Sequence, residues 1–103
     1  MPTRKRPVVY APRALTDRED ILFGGSEVWG EDRAAVYIAE LDRVCARLGD
    51  YPMLGKSLED VSPGRRCLPS GEHAVYYRIR QDGSIRISRN LHARQDAVSA
   101  SDI

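Results

Sequence analysis

Residues 34–48 leave the chain few choices. Ala34, Ile38, Leu41, Cys45 and Leu48 recur at alternating spacings of four and three, and Tyr37, Leu41, Val44 and Leu48 repeat that spacing alongside. The period is that of a helix with a broad apolar face, and such a face needs a second layer to cover it. Glu31 and Asp32 stand at its start, where carboxylates suit the positive end of the helix dipole. Gly49 ends the helix and Pro52 forbids its continuation.

The remaining elements follow from turn chemistry and periodicity. Pro7 to Ala11 reads as a short first strand, closed by Pro12. From Arg13 a less regular helix places Leu15, Leu22 and Trp29 on one face, with Trp29 expected in the core. Gly24-Gly25 interrupts it, which predicts a kink, a break or a close helix–helix crossing. Gly30 stops it, so the two helices form an antiparallel hairpin. Residues 50–64 read as a loop packed by Met53, Leu54, Leu58 and Val61.

Three strands close the chain. Arg66 to Pro69 turns at Ser70-Gly71 into His73 to Arg80, with Val75, Tyr77 and Ile79 on one face and Tyr76, Arg78 and Arg80 on the other. Asp82-Gly83 is a strong hairpin signal, after which Ile85 and Ile87 face inward while Arg86, Ser88 and Asn90 face outward. The expected architecture is α+β, in the order β-α-α-β-β-β. A helical hairpin packs on one face of a small antiparallel sheet in a single domain spanning residues 1–103, with 1–6 and 97–103 as flexible tails.

Composition narrows the function. Sixteen basic and 15 acidic side chains leave a formal charge of +1, which argues against bulk electrostatic binding of nucleic acid but allows a local patch. No apolar run is long enough to span a membrane, and the basic Thr3-Arg4-Lys5-Arg6 is not followed by the apolar stretch of a signal peptide, so the cytoplasm is the expected location. Cys45 and Cys67 read as reduced thiols, with no spacing that suggests a metal or a cofactor.

Taken in order, the motifs form a pattern. They are Ala11-Pro12-Arg13-Ala14, Val28-Trp29-Gly30, Ala35 to Leu41, Tyr51-Pro52-Met53-Leu54-Gly55 and Ser62-Pro63-Gly64-Arg65-Arg66. Gly71-Glu72-His73, Tyr76-Tyr77-Arg78 and Leu91-His92-Ala93-Arg94-Gln95-Asp96 complete the series. From about Tyr10 to Asp96 the chain resembles the RelE/ParE toxin superfamily, and its ParE branch in particular. The resemblance implies the toxin of a type II toxin–antitoxin pair, neutralised by a ParD-like antitoxin whose C-terminal segment wraps it. It further implies a poison of DNA gyrase that is not an enzyme and does not itself read DNA sequence. The expected target surface comprises Arg78, Arg86, Arg89, His92, Arg94 and Asp96.

The alternative within the superfamily is a ribosome-dependent endoribonuclease of the RelE kind. Its chemistry needs groups that deprotonate a ribose 2′-hydroxyl and stabilise the phosphorane, and the candidates are Tyr76, Arg78 and His92. Against it stand the near-neutral charge and a single lysine, Lys56, after residue 5. A third reading is a degenerate toxin that only binds antitoxin. His92 itself has two readings, as part of an active surface or as a strand-end hydrogen-bonder, and Arg94 and Asp96 read equally as a pair across a turn. His73 reads as structural. An antitoxin segment is expected to dock along the strand Val8 to Tyr10, leaving the isolated toxin less stable than its complex.

Overall fold

The computed structural model describes residues 6–92. Strand β1 (Val8–Tyr10) leads into helices α1 (Pro12–Trp29) and α2 (Glu31–Arg47), followed by β2 (Lys56–Ser57), β3 (Arg65–Ser70), β4 (His73–Ile79) and β5 (Ile85–His92). The strands form one sheet in the order β1-β5-β4-β3-β2. The α+β architecture expected from the sequence holds.

Two details of the sheet differ from expectation. It is mixed rather than antiparallel, because β1 runs parallel to β5. The helical hairpin is a crossover connection, and a connection of that length allows a parallel return where a tight turn would not. The second difference is β2, a two-residue strand inside the segment read as loop, paired to Arg66 and Cys67. That segment is not held by its own apolar residues, since Met53, Leu54 and Val61 are exposed. Tyr77 fastens it instead: its fully buried hydroxyl donates to the Pro52 carbonyl at 2.7 Å and accepts the Gly55 N–H at 2.8 Å. A Cβ on Gly55 would lie 2.7 Å from that same ring, so the close approach requires glycine.

The helical stripe of α2 packs as read. Ala34, Ile38, Leu41 and Cys45 are buried, and Leu48 just beyond joins them against Val75, Tyr77, Ile85 and Ile87 of the sheet. Helix α1 differs in two ways. Its buried residues are Ala14 and Gly25, flanked by half-buried Ile21 and Leu22, whereas Leu15 is exposed and Trp29 is 39% exposed, out of the core. Small residues on the inner face let the helices approach closely. The glycine pair does not break α1, which is continuous, and a Cβ on Gly25 would stand 3.2 Å from both Ala34 Cβ and the Trp29 ring. Of the three outcomes expected there, the close crossing is observed. Arg18 Nε, bonded to Asp42 Oδ1 at 2.8 Å, ties the hairpin together further along.

The turn of the last hairpin behaves as Asp82-Gly83 suggests. Gly83 takes the left-handed conformation at φ 88°, and Asp82 Oδ1 accepts bonds from the Ser84 N–H at 2.9 Å and its hydroxyl at 2.6 Å. A less legible event follows in β5. Tyr77 pairs with Ile87 but Tyr76 pairs with Arg89, so Ser88 is an extra residue, a β-bulge. The alternation slips by one. Asn90, expected to face outward, opposes Val75 and is buried at 2% exposure on the helix side.

Candidate functional site

The helices cover one face of the sheet, and among the described residues no helix covers the other. Register places Arg65, Arg78 and Arg86 directly opposite one another on β3, β4 and β5. Side chains so paired share a face at about 4.5–5.5 Å between Cβ atoms. Tyr76 stands two residues from Arg78 on that same open face, beside Cys67. None of the three arginines has a carboxylate partner among the described residues. Arg65 is the most exacting: its Nε and Nη1 are shielded from water yet make no hydrogen bond. Burial first, and then repulsion from Arg78 and Arg86, lowers its pKa from the ordinary guanidinium value. Like charges side by side in a sheet oppose folding, so the row is retained at some cost to stability.

The other expected target residues are placed or engaged differently, although Arg89 stands opposite Tyr76. Arg89 reaches Asp17 on α1, with Nε to Oδ2 at 2.7 Å and Nη2 to Oδ1 at 2.9 Å. The same carboxylate accepts the Asn90 backbone N–H at 3.0 Å. Because β1 ends at Tyr10, opposite Ile87, the far half of β5 has no neighbouring strand on that side among the described residues, and Asp17 takes over the role of its pairing partner. The bulge sends His92 to the helix side, opposite His73, so Arg86 and His92 do not share a face. Arg94 and Asp96 lie outside the described residues.

On the helix side the aromatic rings form a chain. Trp29 and Tyr37 centroids are 5.7 Å apart, Tyr37 and His73 5.4 Å, and His73 and His92 5.3 Å, the last two edge-on. Tyr37 Oη accepts the Glu72 N–H at 3.0 Å and lies 2.6 Å from His73 Nδ1. The hydroxyl also lies 3.4 Å from the Ser70 carbonyl, so one phenol ties His73 to the β3–β4 turn. His73 is thus a structural, neutral histidine, and burial followed by the charge of His92 lowers its pKa from the usual imidazole value. Glu72 opposes that shift without cancelling it. Folding favours the neutral ring, so its contribution is complete above about pH 6.5 and is lost as pH falls below that value. The melting temperature should therefore drop between about pH 7 and pH 5, and less so in His73→Gln. Parallel melting curves for the two proteins would contradict the assignment.

Two recesses flank the hairpin. One, of about 430 Å³, lies between the C-terminal half of α1 and the end of β5, lined by Asp20, Gly24, Trp29, Glu72, His73 and Asn90 among others. The second, about 670 Å³, runs beside edge strand β1 and is lined by Pro7, Val8, Tyr10, Leu15, Arg18 and Asp42, with Arg6 and Ala46. Phe23, Val28 and Val36 are exposed apolar side chains on the helices themselves. Among the described residues no cluster of His, Cys, Asp and Glu suits a metal ion, and no helix is long and apolar enough to cross a membrane.

Tyr76 and Arg78 lie on the open face and His92 on the covered one, so the three groups of a ribonuclease reading are not brought together. Sequence alternation missed Arg65, the third member of the row, and Asn90. Pairing Arg65 to Arg78 required the length of the β3–β4 turn, which Ser70-Gly71 marks but does not measure.

This combination of strand, helical hairpin and meander recurs in a solved structure. The structure superposes on a chain described as "Chromosomal ParDE TA system from P. aeruginosa" with a TM-score of 0.75, at 17% identity, covering 85% of this chain and 96% of the other. A family model described as "ParE toxin of type II toxin-antitoxin system, parDE" matches residues 8–97. Toxin ParE1 of Mycobacterium tuberculosis (strain CDC 1551 / Oshkosh) is 34% identical over 88 residues, 85% of this chain and 90% of the relative. Toxin ParE1 of Caulobacter vibrioides is 32% identical over 92 residues, 89% and 94% of the two. The chain belongs to the ParE family of type II toxin–antitoxin toxins.

Proposed function

We propose that this ParE toxin arrests growth by binding DNA gyrase, without catalysis of its own, and that a ParD-like antitoxin neutralises it in the cytoplasm. The observation that carries the target half is the row Arg65, Arg78 and Arg86 on the open sheet face. A cationic row with no neutralising carboxylate among the described residues suits an external anion, and guanidinium edges pair bidentately with carboxylate or phosphate. Both occur in a gyrase–DNA complex. Arg78 and Arg86 thus remain in the proposed contact surface and Arg65 joins them. Arg89 acts through its bond to Asp17, holding β5 in place. Arg94 and Asp96, outside the described residues, stay part of the proposal.

The antitoxin half is supported by the groove beside β1 and by the exposed apolar residues of the hairpin. Edge strand β1 offers backbone groups for strand addition, and Val8, Leu15 and Tyr10 offer an apolar wall next to it. Exposed apolar surface of this extent marks a partner's seat. Purified toxin should inhibit gyrase supercoiling and accumulate cleaved DNA, and stoichiometric antitoxin should reverse both. Unchanged supercoiling at high molar excess of toxin would remove gyrase as the target; translation-dependent messenger cleavage after induction would install the ribonuclease reading instead.

A further inference from the structure

We infer that the recess between α1 and the end of β5 is a second, polar docking subsite for the antitoxin: it takes one basic side chain and the adjoining peptide group. The inference rests on the antitoxin reading above and adds to it where, and with what chemistry, the partner is gripped away from the β1 groove.

The first observation is Asn90. It is 2% exposed, lines the recess, and neither its Nδ2 nor its Oδ1 has a hydrogen-bond partner. A buried amide left unsatisfied costs about 1–3 kcal/mol, so natural proteins rarely keep one without a use. A carboxamide presents one acceptor and a donor pair side by side, the complement of a main-chain peptide group in an extended segment. The alternation slip at Ser88 is what turns this amide toward the recess.

The second, independent observation is charge. Asp17 is neutralised by Arg89, and His73 is held toward its neutral form. Asp20 and Glu72 on the rim have no cationic partner among the described residues. The rim is therefore acidic and calls for a cation. The third is shape: a Cβ on Gly24 would meet nothing within 4 Å, so the floor is open, and the Trp29 indole forms one wall. An arginine or lysine over that indole, between Asp20 and Glu72, gains a cation–π contact and two ionic ones. A water molecule alone would satisfy the amide but leave the acidic rim unexplained.

The test is calorimetric titration of full-length cognate antitoxin into the purified full-length toxin, at low and high salt. Asn90→Leu replaces the orphan amide with an apolar side chain of like size. It should leave the melting temperature of the free toxin unchanged or raise it, yet weaken antitoxin binding by on the order of tenfold. Asp20→Asn with Glu72→Gln changes only exposed side chains. It should weaken binding by a similar factor and flatten its salt dependence. Wild-type affinity and salt dependence in the rim variant would overturn the subsite, as would wild-type affinity in Asn90→Leu, the result expected if water is its occupant. Those outcomes leave the antitoxin reading intact, whereas wild-type toxin that binds no antitoxin overturns both.

Discussion

Asp17→Ala should lower the stability of the toxin by about 3–5 kcal/mol, the range for removing one partner of a buried ion pair. Two losses combine. The Arg89 side chain, 14% exposed, would keep its charge in a poorly hydrated site without its bidentate partner. The Asn90 backbone N–H would lose its acceptor at an edge where no strand among the described residues replaces it. In a domain this small, such a loss approaches the whole margin of stability. Urea unfolding would measure it directly. Asp17→Asn should recover part of the deficit, since an amide oxygen still accepts from backbone and guanidinium. A midpoint in Asp17→Ala within error of wild type would show that β5 is held by its pairing to β4 alone.

The second large effect concerns activity. Arg78→Glu with Arg86→Glu should abolish growth arrest on expression without antitoxin, with gyrase inhibition weaker by on the order of a hundredfold or more. The same double variant should melt higher than wild type, because position 78 then faces Arg65 with opposite charge, so the row keeps one like-charge pair, between positions 78 and 86, where wild type has two. Opposite signs for toxicity and stability separate a contact surface from a structural role: a structural row would lose both together. Growth arrest undiminished in a well-folded double variant would move the target surface off this face.

The sequence made most of the fold legible for identifiable reasons. The α2 stripe and the Asp82-Gly83 turn are local signals, and the core from Ile38 to Leu48 packs as its period demands. Residues whose placement depends on distant partners were not legible. Trp29 looked like core by size, but small residues on the inner faces of α1 and α2 bring the helices too close to admit it. The parallel pairing of β1 depends on the path of the whole hairpin. The candidate site was half readable: Arg78 and Arg86 follow from alternation, whereas Arg65 needs the β3–β4 register, and Asn90 needs a bulge with no compositional mark, since Ser88 is an unremarkable strand residue.

That extra residue in β5 has a consequence for how such a toxin and its inhibitor change together over generations. Without it, one side of the strand would carry Arg86 and Asn90 alike, and any drift that retuned inhibitor recognition would disturb the poison. With it, Arg86 addresses the bare side while Asn90 and His92 address the covered side. The two vocabularies are written on one strand yet read from opposite directions. If the two proposed surfaces are the ones used, substitutions among Asn90, His92 and their neighbours re-specify which inhibitor fits while Arg86 and its row stay unaltered. A lineage can thus acquire a new private pairing, insulated from related systems in the same cell, without passing through a harmless intermediate.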